Sequence, residues 1–277
     1  MSIAHASPRE FAIYAVQQSG HNLNRPEFKE FRSDKEVALF AVETTGAALK
    51  YCSNELKDDK DVVMASLIAS VNAKQSLEQI SHASPRILAD REVAQYVLYN
   101  SPQDHLQHFS EEIRADKNLI ITSRSSIRYA SEEIKADKAI VADAVTYRSN
   151  DFEWVNDSFK GDREIVLSAV KGNGHMLQHA ALPLHDDYEI VMAAIMGSPN
   201  ALAYASPRLR NNLEIVLEAV KQDEETGEYA SKHIKKLIGD GDPVEVLTKA
   251  VQSEKLAAKL SAQLKPKPEQ QERTMKI

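Results

Sequence analysis

Three stretches of nearly the same sequence decide the fold of this chain. They read DREIVLSAV at residues 162–170, DYEIVMAAI at 187–195 and NLEIVLEAV at 212–220. A related stretch begins at Asp34, where Val37, Phe40 and Ala41 lie at i, i+3 and i+4 and form one apolar stripe of a helix. Stretches that share one pattern predict a chain built from repeated helical units.

The start of this pattern recurs along most of the chain. Stretches similar to Asp-Lys/Arg-x-Ile/Val begin at Asp34, Asp59, Asp90, Asp116, Asp137 and Asp162, with degenerate forms at Asp187 and Asn212. The steps between them are 25, 31, 26, 21, 25, 25 and 25 residues. Eight repeats therefore follow one divergent unit at residues 1–33, which carries larger aromatic side chains and is expected to cap the N-terminus.

Each repeat is predicted to hold two short helices. Asp34 is expected to cap the first helix, and Glu36 adds negative charge where the helix dipole favours it. Gly46 is expected to end that helix in the left-handed conformation. Gly20 and Gly172 or Gly174 are interpreted in the same way. A recurrent serine, such as Ser131, is predicted to cap a last helical turn.

One helix pair of this length cannot bury its own apolar face, so the repeats are expected to stack. The predicted fold is all-α, a right-handed-type α-solenoid of short helix pairs with about nine units. Tandem repeats are expected over residues 34–240, with an irregular part at 59–136. A longer C-terminal capping helix is predicted at 241–264, with Val244, Leu247, Val251 and Leu260 facing inward. Residues 265–277 lack apolar periodicity and are predicted to form a disordered tail.

The repeat resembles a known family. Its pattern is Asp-Lys/Arg-Glu-Val-Val-x-x-Ala-Val, then about six residues, then Ala-Leu-x-Tyr-Ala-Ser-x-x-Leu, and it is similar to the repeat called domain of unknown function 4116. The resemblance covers roughly residues 34–236 and is best at 34–58 and 137–236. It implies an all-helical array of the kind found in bacterial, viral and protist proteins, including some delivered effectors. It implies no catalytic residues.

Composition limits the available functions. The chain has 277 residues, a net charge of −7 and one cysteine, Cys52, which excludes an intramolecular disulfide or a zinc site built from several cysteines. The N-terminal residues lack a signal-peptide pattern, and no apolar run is long enough to cross a membrane, so a cytoplasmic protein is expected. Mild acidity disfavours nucleic acid as the partner.

An aromatic residue or a histidine stands two positions before the recurrent serine, or its equivalent, in all eight repeats. These residues are Tyr51, His82, His108, Tyr129, Trp154, His179, Tyr204 and Tyr229. We call this series the ring ladder. The favoured interpretation is packing between neighbouring repeats, and the alternative is a partly exposed strip that binds a peptide or stacks bases.

Several short motifs were weighed as chemical sites. His175 and His179 are four residues apart, and His105 and His108 are three apart, so either pair could share one helical face. No His-Glu-x-x-His pattern and no nearby cysteine accompanies them, so no metal ligands are predicted. No nucleophile, acid–base pair or phosphate loop is complete, so catalytic and cofactor-binding residues are predicted to be absent.

The local basic cluster at residues 120–128 contains no interleaved acid and lies in the shortened repeat. The candidate partner-binding residues are Arg114, Arg124, Arg128, Tyr129, Arg148 and Trp154. The leading hypothesis is a non-catalytic interaction scaffold or adaptor that binds a protein. Its specific form is a virus- or bacterium-encoded inhibitor that blocks a host protein in the host-cell cytoplasm. The alternative is a binder of single-stranded nucleic acid or a nucleotide through the ring ladder and arginines.

Overall fold

A computed structural model describes residues 6–101 and 103–264, and within these ranges it contains helices and no strand. The α-helices are α1 (Pro8–Gln18), α2 (Lys35–Thr44), α3 (Asn54–Lys57), α4 (Lys60–Asn72), α5 (Arg91–Asn100), α6 (Glu111–Arg114), α7 (Lys117–Ser123), α8 (Glu132–Lys135), α9 (Lys138–Tyr147), α10 (Arg163–Gly172), α11 (Tyr188–Gly197), α12 (Leu213–Gln222), α13 (Lys232–Ile238) and α14 (Pro243–Leu264). The all-α fold of tandem repeats that the sequence predicted is confirmed.

The second helix of each repeat is a 3₁₀-helix rather than an α-helix. The 3₁₀-helices are Gly20–Asn24, Pro26–Ser33, Gly46–Tyr51, Glu78–His82, Ile87–Ala89, Leu106–His108, Ile127–Tyr129, Ser149–Trp154, Asp157–Phe159, Gly174–His179, Leu182–Asp186, Pro199–Tyr204, Leu209–Asn211 and Glu224–Tyr229. The longest of them, Pro26–Ser33, has eight residues. They are short because long runs of the tighter 3₁₀ geometry are uncommon.

The chain forms two compact units, which we call the N-terminal unit (described from residue 6 to Asn156) and the C-terminal unit (from Asp157 to residue 264). In both, the apolar stripe of each first helix is buried. In α10, for example, Ile165, Val166, Ala169 and Val170 are all at most 2% exposed. The hydrophobic core therefore follows the repeat, with one buried stripe contributed by every first helix.

Close approach between neighbouring repeats explains the glycines, and their interpretation as left-handed caps was wrong. Among the described residues, the only glycine with positive φ is Gly239. Gly46 and Gly174 instead begin 3₁₀-helices after an extended residue. A Cβ atom on Gly174 would lie 2.1 Å from the carbonyl oxygen of Ala194 in the next repeat, so only glycine fits there.

Side-chain caps begin the helices where the sequence predicted them. The carboxylate of Asp34 accepts hydrogen bonds from the backbone N–H groups of Glu36 and Val37. The hydroxyl of Ser131 accepts one from the N–H of Ile134, at the start of α8. These caps satisfy N–H groups that have no partner within their own helices.

Ion pairs between consecutive repeats account for the Asp-Lys/Arg signature. A basic residue at the start of one first helix contacts the capping aspartate of the next repeat. These pairs are Arg9 with Asp34, Lys35 with Asp59, Lys60 with Asp90, Arg91 with Asp116 and Lys117 with Asp137 in the N-terminal unit, and Arg163 with Asp187 in the C-terminal unit. Each aspartate thus caps its own helix and binds the preceding repeat.

These pairs predict a loss of stability in acid. Hydrogen bonds from Arg9 and Arg163 lower the pKa values of Asp34 and Asp187, respectively. Because the folded-state pKa lies below the unfolded value of about 3.9, the stabilisation is complete above that pH and is lost as the pH falls through the folded-state pKa. We expect Arg163→Gln to reduce this acid dependence slightly in urea unfolding at pH 7 and pH 3, and Lys171→Gln, at an exposed position, to leave it unchanged. An equal change in the free energy of unfolding between pH 7 and pH 3 in the wild type and in Arg163→Gln would contradict the assignment.

Changes in helix and loop length produce the irregular repeats. Helix α4 has 13 residues where α2 has 10, and the loop after it places Lys74 at a φ of 54°. In the shortened repeat, α7 has 7 residues and ends at Arg124, whose φ is 52°. Both non-glycine residues with positive φ among those described therefore lie where the repeat length changes.

The C-terminal helix α14 buries only its first half. Leu247 and Val251 are buried as predicted, and Val244 is half-buried. Leu260 was expected to face inward, but it is 50% exposed, because the helix extends beyond the repeat on which it packs. The predicted disordered tail at 265–277 lies outside the described residues.

Candidate functional site

The ring ladder lies at the surface of the repeats. Six of its eight side chains are half-buried, and His82 and Tyr229 are exposed. The ring of Tyr51 contacts His21 at a centroid distance of 6.1 Å, and Tyr204 contacts His175 at 6.3 Å. Each contact joins a ladder ring to the preceding repeat, which supports the packing interpretation, yet part of every ring remains accessible.

Arg128 binds two ladder rings at once. Its guanidinium carbon lies 5.0 Å from the centre of the Tyr129 ring and 4.4 Å from that of Trp154. Both distances are within the range of a cation–π contact. The side chain of Arg128 is thereby held across two consecutive repeats while the residue remains exposed.

The short helix α7 of the shortened repeat sets the position of Arg124. Helix α7 ends at this residue in the left-handed conformation, and the guanidinium carbon lies 4.0 Å from the centre of the Tyr147 ring. Ser123, just before it, donates a hydrogen bond to the carbonyl of Leu119 at 2.6 Å and shares one with Ser125. Tyr147, the last residue of α9, was not among the residues predicted from sequence, although it directly precedes the predicted Arg148.

A pocket of about 380 Å³ opens beside these arginines. Its lining residues are Leu98, Tyr99, Asn100, Ser101, Gln103, Asp104, Ser123, Arg124, Ser125, Ser126 and Arg148. Arg124 and Arg148 are exposed, and the serine hydroxyls add hydrogen-bonding groups, so the mouth of the pocket is polar.

A half-buried carboxyl group, Asp104, and a buried one, Asp151, lie close to the arginines. Asp151 is buried and accepts hydrogen bonds from the Ser126 hydroxyl at 2.7 Å and from the Ile127 N–H at 3.0 Å. Burial raises the pKa values of both Asp104 and Asp151, while the positive charge of Arg148 acts in the opposite direction on each pKa. The two carboxyl groups thus offset part of the positive charge of the exposed arginines. This limits the attraction of the arginines for a bare phosphate backbone.

The structure brings together five of the six predicted site residues and one that was missed. Arg124, Arg128 and Arg148 lie with the rings of Tyr129, Tyr147 and Trp154, and we call these six residues the arginine patch. Arg114 is paired with Glu111 on α6 instead. Its Nε is buried without a hydrogen-bond partner among the described residues.

A carboxylate lies beside the pair His105 and His108. Glu78, from the preceding repeat, lies beside His105 and His108, with 3.8 Å between its Oε2 and Nε2 of His108. The sequence predicted no metal ligands at this pair, because neither a His-Glu-x-x-His pattern nor a nearby cysteine accompanies it. Glu78 is separated from His105 by 27 residues and comes from the lengthened repeat.

Two further features do not contribute to a candidate site. Burial raises the pKa of the Cys52 thiol to about 11, which makes it a poor nucleophile. In the part of the chain that the structure describes, every helix is too short or too polar to span a bilayer.

Comparison with known proteins places the repeats in a family. The family described as "Domain of unknown function (DUF4116)" matches residues 34–81, 140–184 and 187–235. No curated protein and no solved structure matches the chain. The first match extends to residue 81, further than the best-matching part that the sequence suggested, and residues 82–139 are left unmatched. The three segments span just over half of the chain, which therefore belongs to the DUF4116 family.

Proposed function

We propose that the protein is a non-catalytic interaction module that binds another protein through the arginine patch. The observation that carries the proposal is that Arg124 and Arg128 stack on three aromatic rings beside a pocket that Arg124 and Arg148 line. Arginine, tyrosine and tryptophan are the residue types that dominate binding energy in protein interfaces. Ring contacts hold Arg124 and Arg128 in place before binding, which lowers the entropy lost when a partner docks.

The charge and shape of the patch indicate the partner's chemistry. Guanidinium groups bind carboxylates through paired hydrogen bonds, and the pocket between Arg124 and Arg148 has room for a side chain. We therefore expect a partner segment that carries an aspartate or glutamate next to an apolar residue. The carboxylate would pair with an arginine, and the apolar group would contact the exposed part of Trp154 or Tyr147.

The position of the patch in the repeat array also supports the proposal. Arg124, Arg128 and Tyr129 lie within residues 82–139, which the family repeat does not match. A repeat scaffold acquires a specific partner where its sequence departs from the repeat. In its finer form the proposal is an inhibitor or effector, encoded by a virus or bacterium, that blocks a host protein in the cytoplasm. That form rests on the kinds of protein in which the family repeat occurs.

Charge reversal tests the patch. We expect Arg124→Glu/Arg128→Glu to weaken binding at least about 100-fold, because two arginine contacts are each replaced by repulsion. The tagged full-length chain would capture its partner from lysate of its native host, and calorimetry with the purified partner would then measure the affinity. Lys171→Glu/Lys221→Glu makes the same charge change at exposed positions of the C-terminal unit and should bind as the wild type does.

Three results would contradict the proposal. They are equal affinity of the patch variant and the wild type, equal loss in both double variants, and capture of nucleic acid without protein. Binding of nucleic acid is measured independently by the fluorescence of Trp154, the single tryptophan, during titration with an oligonucleotide at low salt. We expect no change in that signal, since Asp104 and Asp151 lie beside the arginines and limit their attraction for phosphate.

A further inference from the structure

The side chains of Glu78, His105 and His108 form a cluster outside the arginine patch. One nitrogen of each histidine and one carboxylate oxygen of Glu78 all lie within 4.8 Å of one another. The histidine ring centres are 6.0 Å apart. Glu78 begins the 3₁₀-helix Glu78–His82, whereas His105 immediately precedes the 3₁₀-helix Leu106–His108 of the following repeat, so the cluster joins two consecutive repeats.

His105 is the anomalous member of this cluster. Its side chain is fully buried, and neither Nδ1 nor Nε2 has a hydrogen-bond partner within residues 6–101 and 103–264. Nε2 of His108 likewise has no hydrogen-bond partner in these ranges. A buried imidazole without partners is costly, since it has lost its hydrogen bonds to water and gained none. Such groups are rare in native proteins, and an ion absent from the coordinates is one of the known explanations.

We propose that Glu78, His105 and His108 bind a divalent transition-metal ion, with Zn²⁺ as the preferred ion. Imidazole nitrogens and a carboxylate oxygen form an established ligand set for zinc. Zinc holds such ligands at about 2.0–2.2 Å, which places them about 3.3–3.5 Å apart in a tetrahedron. The cluster contracts to that size mainly by rotation of the Glu78 side chain, which is 63% exposed. Water takes the fourth position.

Zinc at this position would join the lengthened repeat to the repeat that follows it. The Ser76 hydroxyl already donates a hydrogen bond to Oε1 of Gln103 at 2.7 Å and connects the same two loops. The metal adds a second and stronger link between them. It would also satisfy a nitrogen of His105, which removes part of the cost of burying that ring.

Metal titration of the tag-free full chain tests the site. We expect the apo protein to bind one equivalent of Zn²⁺ by calorimetry and Co²⁺ to give the visible absorption bands of a four-coordinate site. Added Zn²⁺ should raise the melting temperature, because the metal binds the folded chain preferentially. Glu78→Gln and His108→Ala should each weaken binding by about 10- to 100-fold or more, since even a lost supporting contact has an effect of that size. Both side chains are at least partly accessible, so these variants do not empty the core.

Two controls separate this site from adventitious binding. His82→Ala removes an exposed histidine from the same 3₁₀-helix as Glu78, and His175→Ala removes one member of the other histidine pair. Both variants should bind Zn²⁺ as the wild type does. Failure of the wild type to bind Zn²⁺, undiminished binding in Glu78→Gln and His108→Ala, or loss of binding in either control would overturn the proposal.

Discussion

Gly174→Ala should destabilise the protein by about 3 kcal/mol, at the upper end of the range for overpacked sites. The new Cβ atom would lie 2.1 Å from the carbonyl oxygen of Ala194 and 2.8 Å from Cβ of Ser198. A backbone carbonyl cannot rotate away, and this one also accepts the hydrogen bond from the N–H of Ser198 that ends α11. Relief therefore requires α11 to move away from the preceding repeat and to expose part of their shared core.

Urea unfolding of the full chain measures this effect. Gly161→Ala is the matched control in the same unit, because its added Cβ meets nothing closer than 3.7 Å. We expect the control to change stability by less than about 0.5 kcal/mol, as surface substitutions do. Equal unfolding midpoints for the two variants would show that the repeats are not packed as closely at Gly174 as described.

Asp151→Ala should lower the free energy of unfolding by about 2–3 kcal/mol, because it leaves two buried hydrogen-bond donors without an acceptor. The carboxylate accepts hydrogen bonds from the Ser126 hydroxyl and the Ile127 N–H, which belong to the preceding repeat. The substitution also leaves a small cavity beneath the arginine patch. The fluorescence of Trp154 should report the change directly, because Asp151 and Trp154 lie in the same 3₁₀-helix, Ser149–Trp154.

Two further variants separate the hydrogen bonds from the charge. Asp151→Asn keeps one acceptor oxygen and should lose less stability than Asp151→Ala. Asp143→Ala, at an exposed position of α9, should lose almost none. A loss in Asp143→Ala as large as that in Asp151→Ala would show that burial of Asp151 is not the cause.

Local patterns were predictable from the sequence because they depend on neighbours in the chain. The caps at Asp34 and Ser131 follow from residue type and position, and the structure has both. The apolar stripe of each first helix follows from helical spacing, and it is buried as expected. The charge cluster at residues 120–128 drew attention to Arg124 and Arg128, and both side chains stack on aromatic rings.

Features that depend on contact between repeats were missed or misinterpreted. Gly46 and Gly174 look like helix caps within one repeat, whereas the close approach of the next repeat selects them. The ion pair between Lys35 and Asp59 was not predicted, although about one repeat separates the two residues. Glu78 could not be placed beside His105 by counting alone, because the lengthened repeat changes the path of its loop.

The central claim is that the arginine patch, in the shortened repeat and the repeat after it, carries the binding surface. Hydrogen–deuterium exchange of the full chain, alone and in complex with its captured partner, tests it most directly. We predict slower exchange on binding at residues 123–129 and 147–154, with no change across the regular repeats of the C-terminal unit. Protection confined to residues 162–235 would contradict the claim and assign binding to the regular repeats instead.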